Sequence, residues 1–404
     1  MSETAGLAGR LRALRPRFEA ALDAVLLLGI FSMPFSIAVS QTALAVALVI
    51  AALALTAGWR PPRTGVELPA ALFVGWALLD IAFSQIPAES LHHAKRFLLL
   101  PALWLYAGAA VRPGMARRLI AALGLGATGV AVVGIVQYLR GPGGLLGRAD
   151  LVQGYMTAGG LMMLCGLSLV AFLVRLKDWR ARLPLLPALM TVLVALVFTY
   201  TRNAWLGFGA GTLLLLLLQR PQAAPIFAVL AVLAVVVAPA SFRARMLSSF
   251  NPEHRTNVQR VIMWKTGWRM LQDHPLTGVG DLDLKAIYSD YHRGEDVEIK
   301  GHLHSNLAMF AAIWGWPGLL LALLFLVSLP WQLARRWRAL RRLGERAPPL
   351  AAAWTLAALA VWLGFMVGGR VEWNFGDAEI ALLLWTLMGL GLGPAAAAAE
   401  EGAR

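Results

Sequence analysis

Two histidines stand where a polar segment runs into an apolar one. In residues 301–320, GHLHSNLAMFAAIWGWPGLL, His302 and His304 come just before Ser305 and Asn306, residue types that cap helix starts. An imidazole has an unperturbed pKa of about 6.5 and can take a proton at neutral pH. An ionisable side chain at a membrane boundary marks a candidate functional site. The plainer alternative is that His304 only caps the helix and packs against its neighbours.

A second stretch, TYTRNAWLGF, sets Arg202 between two apolar runs. A guanidinium beside hydrocarbon is costly without an anionic partner, and its planar fork fits phosphate oxygens at any pH. The plainer alternative is an interfacial anchor that snorkels to lipid headgroups. Arg148, Arg255, Arg260 and Arg370 are expected on the same side, and together they form a set able to hold a pyrophosphate. GGRVEWNFGDAEI adds Glu372, Asp377 and Glu379; Glu372 or Asp377 can orient a histidine or pair with an arginine. His302, His304, His274 and Asp281 or Asp283 offer metal-ligand chemistry, but spacing fixes no third ligand.

These residues need a membrane scaffold to position them. The 404-residue chain is 59% hydrophobic and 14% charged, with mean hydropathy +0.66, too apolar for a soluble domain to cover its own surface. The single cysteine, Cys165, excludes a disulfide framework or a cysteine zinc cluster. The first apolar run lacks a small-residue cleavage site and is expected to be a retained helix. The fold expected is an all-α polytopic membrane protein, one integral membrane domain over 1–404. Its roughly twelve spans by the 20-residue rule fall at 22–39, 42–57, 68–83, 97–111, 119–138, 155–174, 185–201, 204–218, 223–240, 305–329, 350–368 and 378–392.

Orientation follows from the basic residues. With Arg10, Arg12, Arg15 and Arg17 in the cytoplasm, that side holds 21 of the 36 Lys and Arg, and the short outer loops hold 6. The positive-inside rule is obeyed, so the net charge of +14 is mostly a topology signal, and nucleic-acid binding is excluded for want of a basic soluble domain. All seven histidines then lie on the outer side. A long outer loop, 241–304, is inserted between the expected ninth and tenth helices. Within it Arg260, Trp264, Trp268 and Leu271 recur at near-helical spacing, which predicts an amphipathic helix over 257–273 ended by His274-Pro275. The Ala-rich tail, 394–404, reads as a disordered end.

The motifs resemble those of the O-antigen ligase family of bacterial inner-membrane proteins, which shares a domain with O-antigen polymerases and protein O-oligosaccharyltransferases. The resemblance rests on T-x-x-R-x-x-W at Thr199, Arg202 and Trp205, and on Arg260 and Trp264 followed by HPLTGVG at 274–280. It rests also on HSN with two later glycines at His304, Gly315 and Gly318, and on the late N-F-x-D at Asn374 to Asp377. It covers about 155–390; the first five spans match in hydropathy only. It implies a fold similar to GT-C type glycosyltransferases. The reaction implied is transfer of polysaccharide from undecaprenyl pyrophosphate to the lipid A–core oligosaccharide at the periplasmic face of the inner membrane. No cofactor or metal ion is implied, and the anomeric centre is inverted. By that resemblance His304 is the general base and Arg202 and Arg260 hold the pyrophosphate. Arg148, Arg255 and Arg370 join that set, with His302, Ser305, Asn306, Trp264 and Asp377 in support. His302, two residues earlier in an extended approach, is expected to point away from His304.

Two other functions remain open on sequence. A polymerase joining O-antigen repeat units uses the same donor with a different acceptor. A lipid or solute transporter belongs to another class and calls for buried mid-membrane charges; few ionisable residues lie in the spans, Asp80 among them. Membrane lipids are expected partners under every reading.

Overall fold

Where no water reaches the backbone, its N–H and C=O groups must pair within the segment, so long apolar runs wind into helices. The computed structural model describes residues 2–112, 114–141, 149, 151–294 and 299–393, and among these no strand occurs. The longer helices are α1 (Ser2–Ser32), α2 (Ile37–Thr56), α3 (Glu67–Leu79), α4 (Ala102–Ala110), α5 (Met115–Leu139), α6 (Tyr155–Arg175) and α7 (Leu185–Phe198). They continue with α8 (Arg202–Gln219), α9 (Ala223–Val237), α10 (Arg255–Asp273), α11 (Asn306–Arg342), α12 (Pro349–Gly368) and α13 (Ala378–Leu392). The amphipathic helix expected over 257–273 is α10. The expected tail, 394–404, lies outside the described residues.

Among the described residues six helices are long and apolar enough to cross a membrane: α2, α5, α6, α11, α12 and Trp179–Phe198, which joins a short helix to α7. This is the architecture of a helical, multi-pass membrane protein, but six is half the dozen spans that hydropathy predicts. Backbone chemistry accounts for much of the difference. The run 22–39 breaks at Met33–Phe35 around Pro34, and Ser36 caps α2 by accepting from the Val39 amide at 3.3 Å. The run 97–111 is cut by Pro101, leaving only Ala102–Ala110 as α-helix, since proline lacks a donor and restricts the residue before it. The run 68–83 ends its α-helix at Leu79 and continues as a 3-10 turn, Asp80–Phe83.

At the centre, α6 packs on α12 and α12 on α8. The most apolar stretch of α6 is 83% buried and that of α12 72%, against 22% for Trp179–Phe198, which places the latter at the rim. The α8–α12 crossing is backbone-close. A Cβ at Gly207 would meet the Gly364 carbonyl at 2.5 Å and one at Gly211 the Ala360 carbonyl at 2.7 Å, the small-residue contact that lets membrane helices approach.

The functional end is set by a break in α11. Gly315 sits at φ 63°, ψ −169° inside the helix, a backbone region essentially reserved for glycine. Pro317 has no N–H for the Ile313 carbonyl, and the Trp316 amide turns away to Pro275 O at 2.9 Å. Two carbonyls of α11 thus lose their helical donors. The 274–280 loop supplies replacements: the Val279 amide donates to Ala312 O at 2.9 Å and the Gly280 amide to Ile313 O at 3.1 Å. The Trp76 indole serves Trp314 O at 3.2 Å. A Cβ at Gly315 would meet Leu276 O at 2.5 Å. Gly315→Ala is therefore expected to cost about 1–3 kcal/mol and to lower the melting temperature of the detergent-solubilised protein. Gly75→Ala, whose Cβ would meet nothing within 4 Å, is expected to leave it unchanged. Equal melting of both variants would contradict the docked-loop account.

Candidate functional site

The break between α7 and α8 places the first arginine. The Thr199 hydroxyl and the Trp205 indole both donate to Leu196 O, at 2.7 and 2.9 Å, and Thr201 ties the turn to Tyr155 O at 2.9 Å. Tyr200 between them takes φ 50°. Thr199 and Trp205, either side of Arg202 in the motif, are therefore clamps that end α7 and set Arg202 at the first position of α8. Its guanidinium is buried and donates to Ser248 Oγ at 2.7 Å and Thr256 Oγ1 at 2.9 Å. Arg260 lies one turn beyond Thr256 on α10.

These two arginines, with Arg245, Lys300 and His304, line a cavity of about 280 Å³. No carboxylate belongs to its described lining. Burial, followed by the charges of Arg202, Arg245 and Arg260, holds the neighbouring His254 below its ordinary pKa, which marks a convergent positive field. Burial also lowers Arg260, partly offset by the Glu372 charge. The geometry suits an anion bearing several oxygens.

His304 stands at the mouth of α11 with φ 47°, in the left-handed region that few side chains other than Asn, Asp and His adopt. Its Nδ1 lies 2.9 and 3.1 Å from the two oxygens of Glu372, so Nδ1–H donates to the carboxylate and Nε2 is left for another partner. Burial would raise the buried Glu372, but the His304 hydrogen bond, and with it the Trp373 amide at 3.1 Å, holds it below its ordinary value. A second stitch fixes the pair. The Asn306 amide donates to Gly369 O at 2.8 Å, and the Asn374 amide donates to Asn306 Oδ1 at 3.0 Å. Ser305 caps α11 through the Ala308 amide at 3.4 Å. Trp264 supports the approach by donating to Leu303 O at 3.0 Å.

His302 does not point away. Its ring lies 4.3 Å from that of His304, and its Nδ1 is 4.0 Å from Glu372 Oε1. The positive φ of His304 breaks the extended alternation that would have sent the two rings to opposite faces. The His304 amide donates to His302 Nδ1 at 3.3 Å, and burial, then the His304 charge, pushes His302 down to about 4. His302 is thus a neutral acceptor.

The other expected residues fall elsewhere. Arg255 opens α10 and Arg370 follows α12; both are exposed and neither lines the cavity. Arg148 lies outside the described residues. Asp377 accepts from Thr157 Oγ1 at 2.6 Å and is raised by burial and by hydrogen bonding with Glu379. It lines a second cavity of about 550 Å³ with Asp281, Asp283, Glu372, Glu379, Trp373 and His302. Arg245 and Lys300 carry no sequence motif of their own. Lys300 could have been found by its place just before GHLH; nothing in the spacing points to Arg245.

His302, His304 and Glu372 bring ligand atoms within 4.8 Å of one another, close enough to hold a metal ion. His274 instead meets Gln85 at 3.1 Å, Asp281 pairs with His93 and Arg96, both at 3.3 Å, and Asp283 caps a 3-10 turn through the Lys285 amide. Both Nδ1 atoms of the histidine pair are taken by hydrogen bonds.

The site is thus a cavity lined by cations beside a carboxylate-bound histidine, in a helical membrane protein. Residues 187–323 match the family described as O-antigen ligase. That stretch is similar to the O-antigen ligase family, whose members are glycosyltransferase-like ligases and polymerases. The matched stretch contains Arg202, Arg245, Arg260, Lys300, His302 and His304; Glu372 and Asp377 lie beyond it. No curated protein gives a significant match to the chain. With both Nδ1 atoms and the Glu372 carboxylate engaged in hydrogen bonds, a metal ion would have to displace them, and activity is expected to change less than about twofold in excess EDTA. Loss of activity restored by added divalent cation would make the trio a metal centre.

Proposed function

We propose that this chain is an O-antigen ligase with a GT-C type fold and about twelve crossings in the inner membrane. It transfers polysaccharide from undecaprenyl pyrophosphate to a hydroxyl of the lipid A–core oligosaccharide at the periplasmic face. The observation that carries the reading is the cationic cavity of Arg202, Arg245, Arg260 and Lys300 with His304, bound to Glu372, on its wall. The pyrophosphate lies among the cations. The acceptor sugar reaches the anomeric carbon from the carboxylate-lined second cavity, where Asp281, Asp377 and Glu379 can take hydroxyl hydrogen bonds and Trp373 offers an apolar face.

The acceptor oxygen attacks the anomeric carbon in line. The carbon–oxygen bond to pyrophosphate breaks, and its electron pair leaves on undecaprenyl pyrophosphate. The acceptor proton passes to His304 Nε2, and Glu372 stabilises the imidazolium that forms. One displacement inverts the centre, and the arginines balance the charge gathering on the leaving group. His302, too weak a base to compete, keeps the segment in register.

The test uses purified protein with undecaprenyl-pyrophosphate-linked polysaccharide and lipid A–core. His304→Ala is expected to lower transfer about 10²–10⁴-fold while donor binding holds within about twofold. Arg202→Lys and Arg260→Lys are expected to weaken donor binding although charge is kept, since lysine lacks the bidentate fork. Near-normal transfer by His304→Ala contradicts the base assignment, and near-normal donor binding by both lysine variants moves the pyrophosphate elsewhere. Longer chains on the carrier, with none on lipid A–core, would make the protein a polymerase.

A further inference from the structure

At the end of the bundle opposite His304 lies a cavity of about 1090 Å³, larger than either cavity at the site. It opens where α6 ends and where α7 and α12 begin. Its walls are apolar, including Phe172, Leu176 and Leu350, and its rim carries Arg117, Arg175, Lys177 and Arg180. The two carboxylates at this rim are already engaged. Glu345 accepts from Lys177 Nζ at 3.1 Å, and Asp178 caps a short helix through the Arg180 amide at 3.0 Å. Arg117, Arg175, Lys177 and Arg180 outnumber these two carboxylates, so the rim is cationic. Arg175 Nε is buried with no hydrogen-bond partner among the described residues, an arrangement that costs free energy unless a ligand completes it. The amide end of α12, without a side-chain cap, adds positive potential. Beside the rim Trp179 is 64% exposed with the Arg180 guanidinium 5.6 Å from its ring centroid, as suits a membrane interface.

We infer that this cavity is a binding site for an anionic diacyl phospholipid, its phosphodiester on Arg175, Arg180 and Arg117 and its upper acyl chain along Phe172, Leu176 and Leu350. Apolar walls beneath a cationic rim fit a lipid better than a free anion, and basic pockets between membrane helices recognise such headgroups. The inference is independent of the transfer reaction, because the cavity touches none of the residues assigned to it.

The experiment is native mass spectrometry of the detergent-purified full chain titrated with phosphatidylglycerol, with phosphatidylcholine and inorganic phosphate as separate arms. Melting temperature is read in parallel. One phosphatidylglycerol is expected to remain bound at activation energies that strip phosphatidylcholine, and to raise the melting temperature. Arg175→Gln with Arg180→Gln should lose at least about tenfold in that retention, a change of about 1.4 kcal/mol. Arg335→Gln with Arg338→Gln removes the same charge from the exposed end of α11 and should retain the lipid. Equal loss in both double variants, or equal retention of the two lipids, overturns the site. A phosphate arm that protects as well as phosphatidylglycerol makes it a free-anion site and also overturns it. A variant that melts early in phosphatidylcholine is still read by retention on its folded charge states.

Discussion

The structure depends on a broken turn. Between Ala312 and Pro317, α11 gives up its own hydrogen bonds and accepts those of the 274–280 loop. Leaving two buried carbonyls unserved would cost about 1–3 kcal/mol each, so loop and helix must fold as one unit. That union anchors the C-terminal end of α10, and with it Arg260 and Trp264. Trp264 then holds Leu303, and a Cβ at Gly267 would collide with the Leu303 side chain at 2.3 Å. His304 emerges from a segment gripped by α10 on one side and by the Gly369–Asn374 turn on the other. Placement of the imidazole is thus the end of a chain of backbone constraints and owes little to its own packing.

Charge is sorted across the same point. The cavity on one side is cationic, and the one on the other is rich in carboxylates. Glu372 faces the second, yet its hydrogen bond reaches the histidine that lines the first. An anionic leaving group and a neutral sugar hydroxyl would be steered to opposite sides before any specific contact forms. Burial of Glu372 sharpens this division. The carboxylate stays ionised because the His304 hydrogen bond and the Trp373 amide compensate it, which makes it a fixed negative pole against which a positive charge on the imidazole can develop.

Much of this was legible in the sequence, and the reasons for the rest are physical. Helical class, the amphipathic α10 and the three residues Arg202, Arg260 and His304 that line one cavity each leave a local mark: a period, an apolar run, a residue type at a boundary. The role of the glycines in 274–280 and at Gly315 could not be read, since it lies in a contact between segments far apart in the chain. Only six of the roughly twelve apolar runs form helices of full spanning length among the described residues, because hydropathy sees Pro34 and Pro101 as single residues, whereas the backbone treats them as ends. A period-two argument puts His302 on the wrong face because it assumes extended φ, and one residue at φ 47° cancels it. Arg255 and Arg370 share residue type and side with Arg202 but lack anything that buries them. Arg245 reaches the cavity from a short helix that carries no pattern.

The reaction depends on Glu372 orienting His304 and stabilising the positive charge it takes on during proton transfer. Steady-state kinetics of polysaccharide transfer by Glu372→Gln, with kcat separated from donor KM, decide whether it does. Glutamine keeps an oxygen for Nδ1–H but removes the negative charge, so kcat should fall at least about tenfold while donor KM stays within about twofold. A kcat equal to that of wild type would contradict the account.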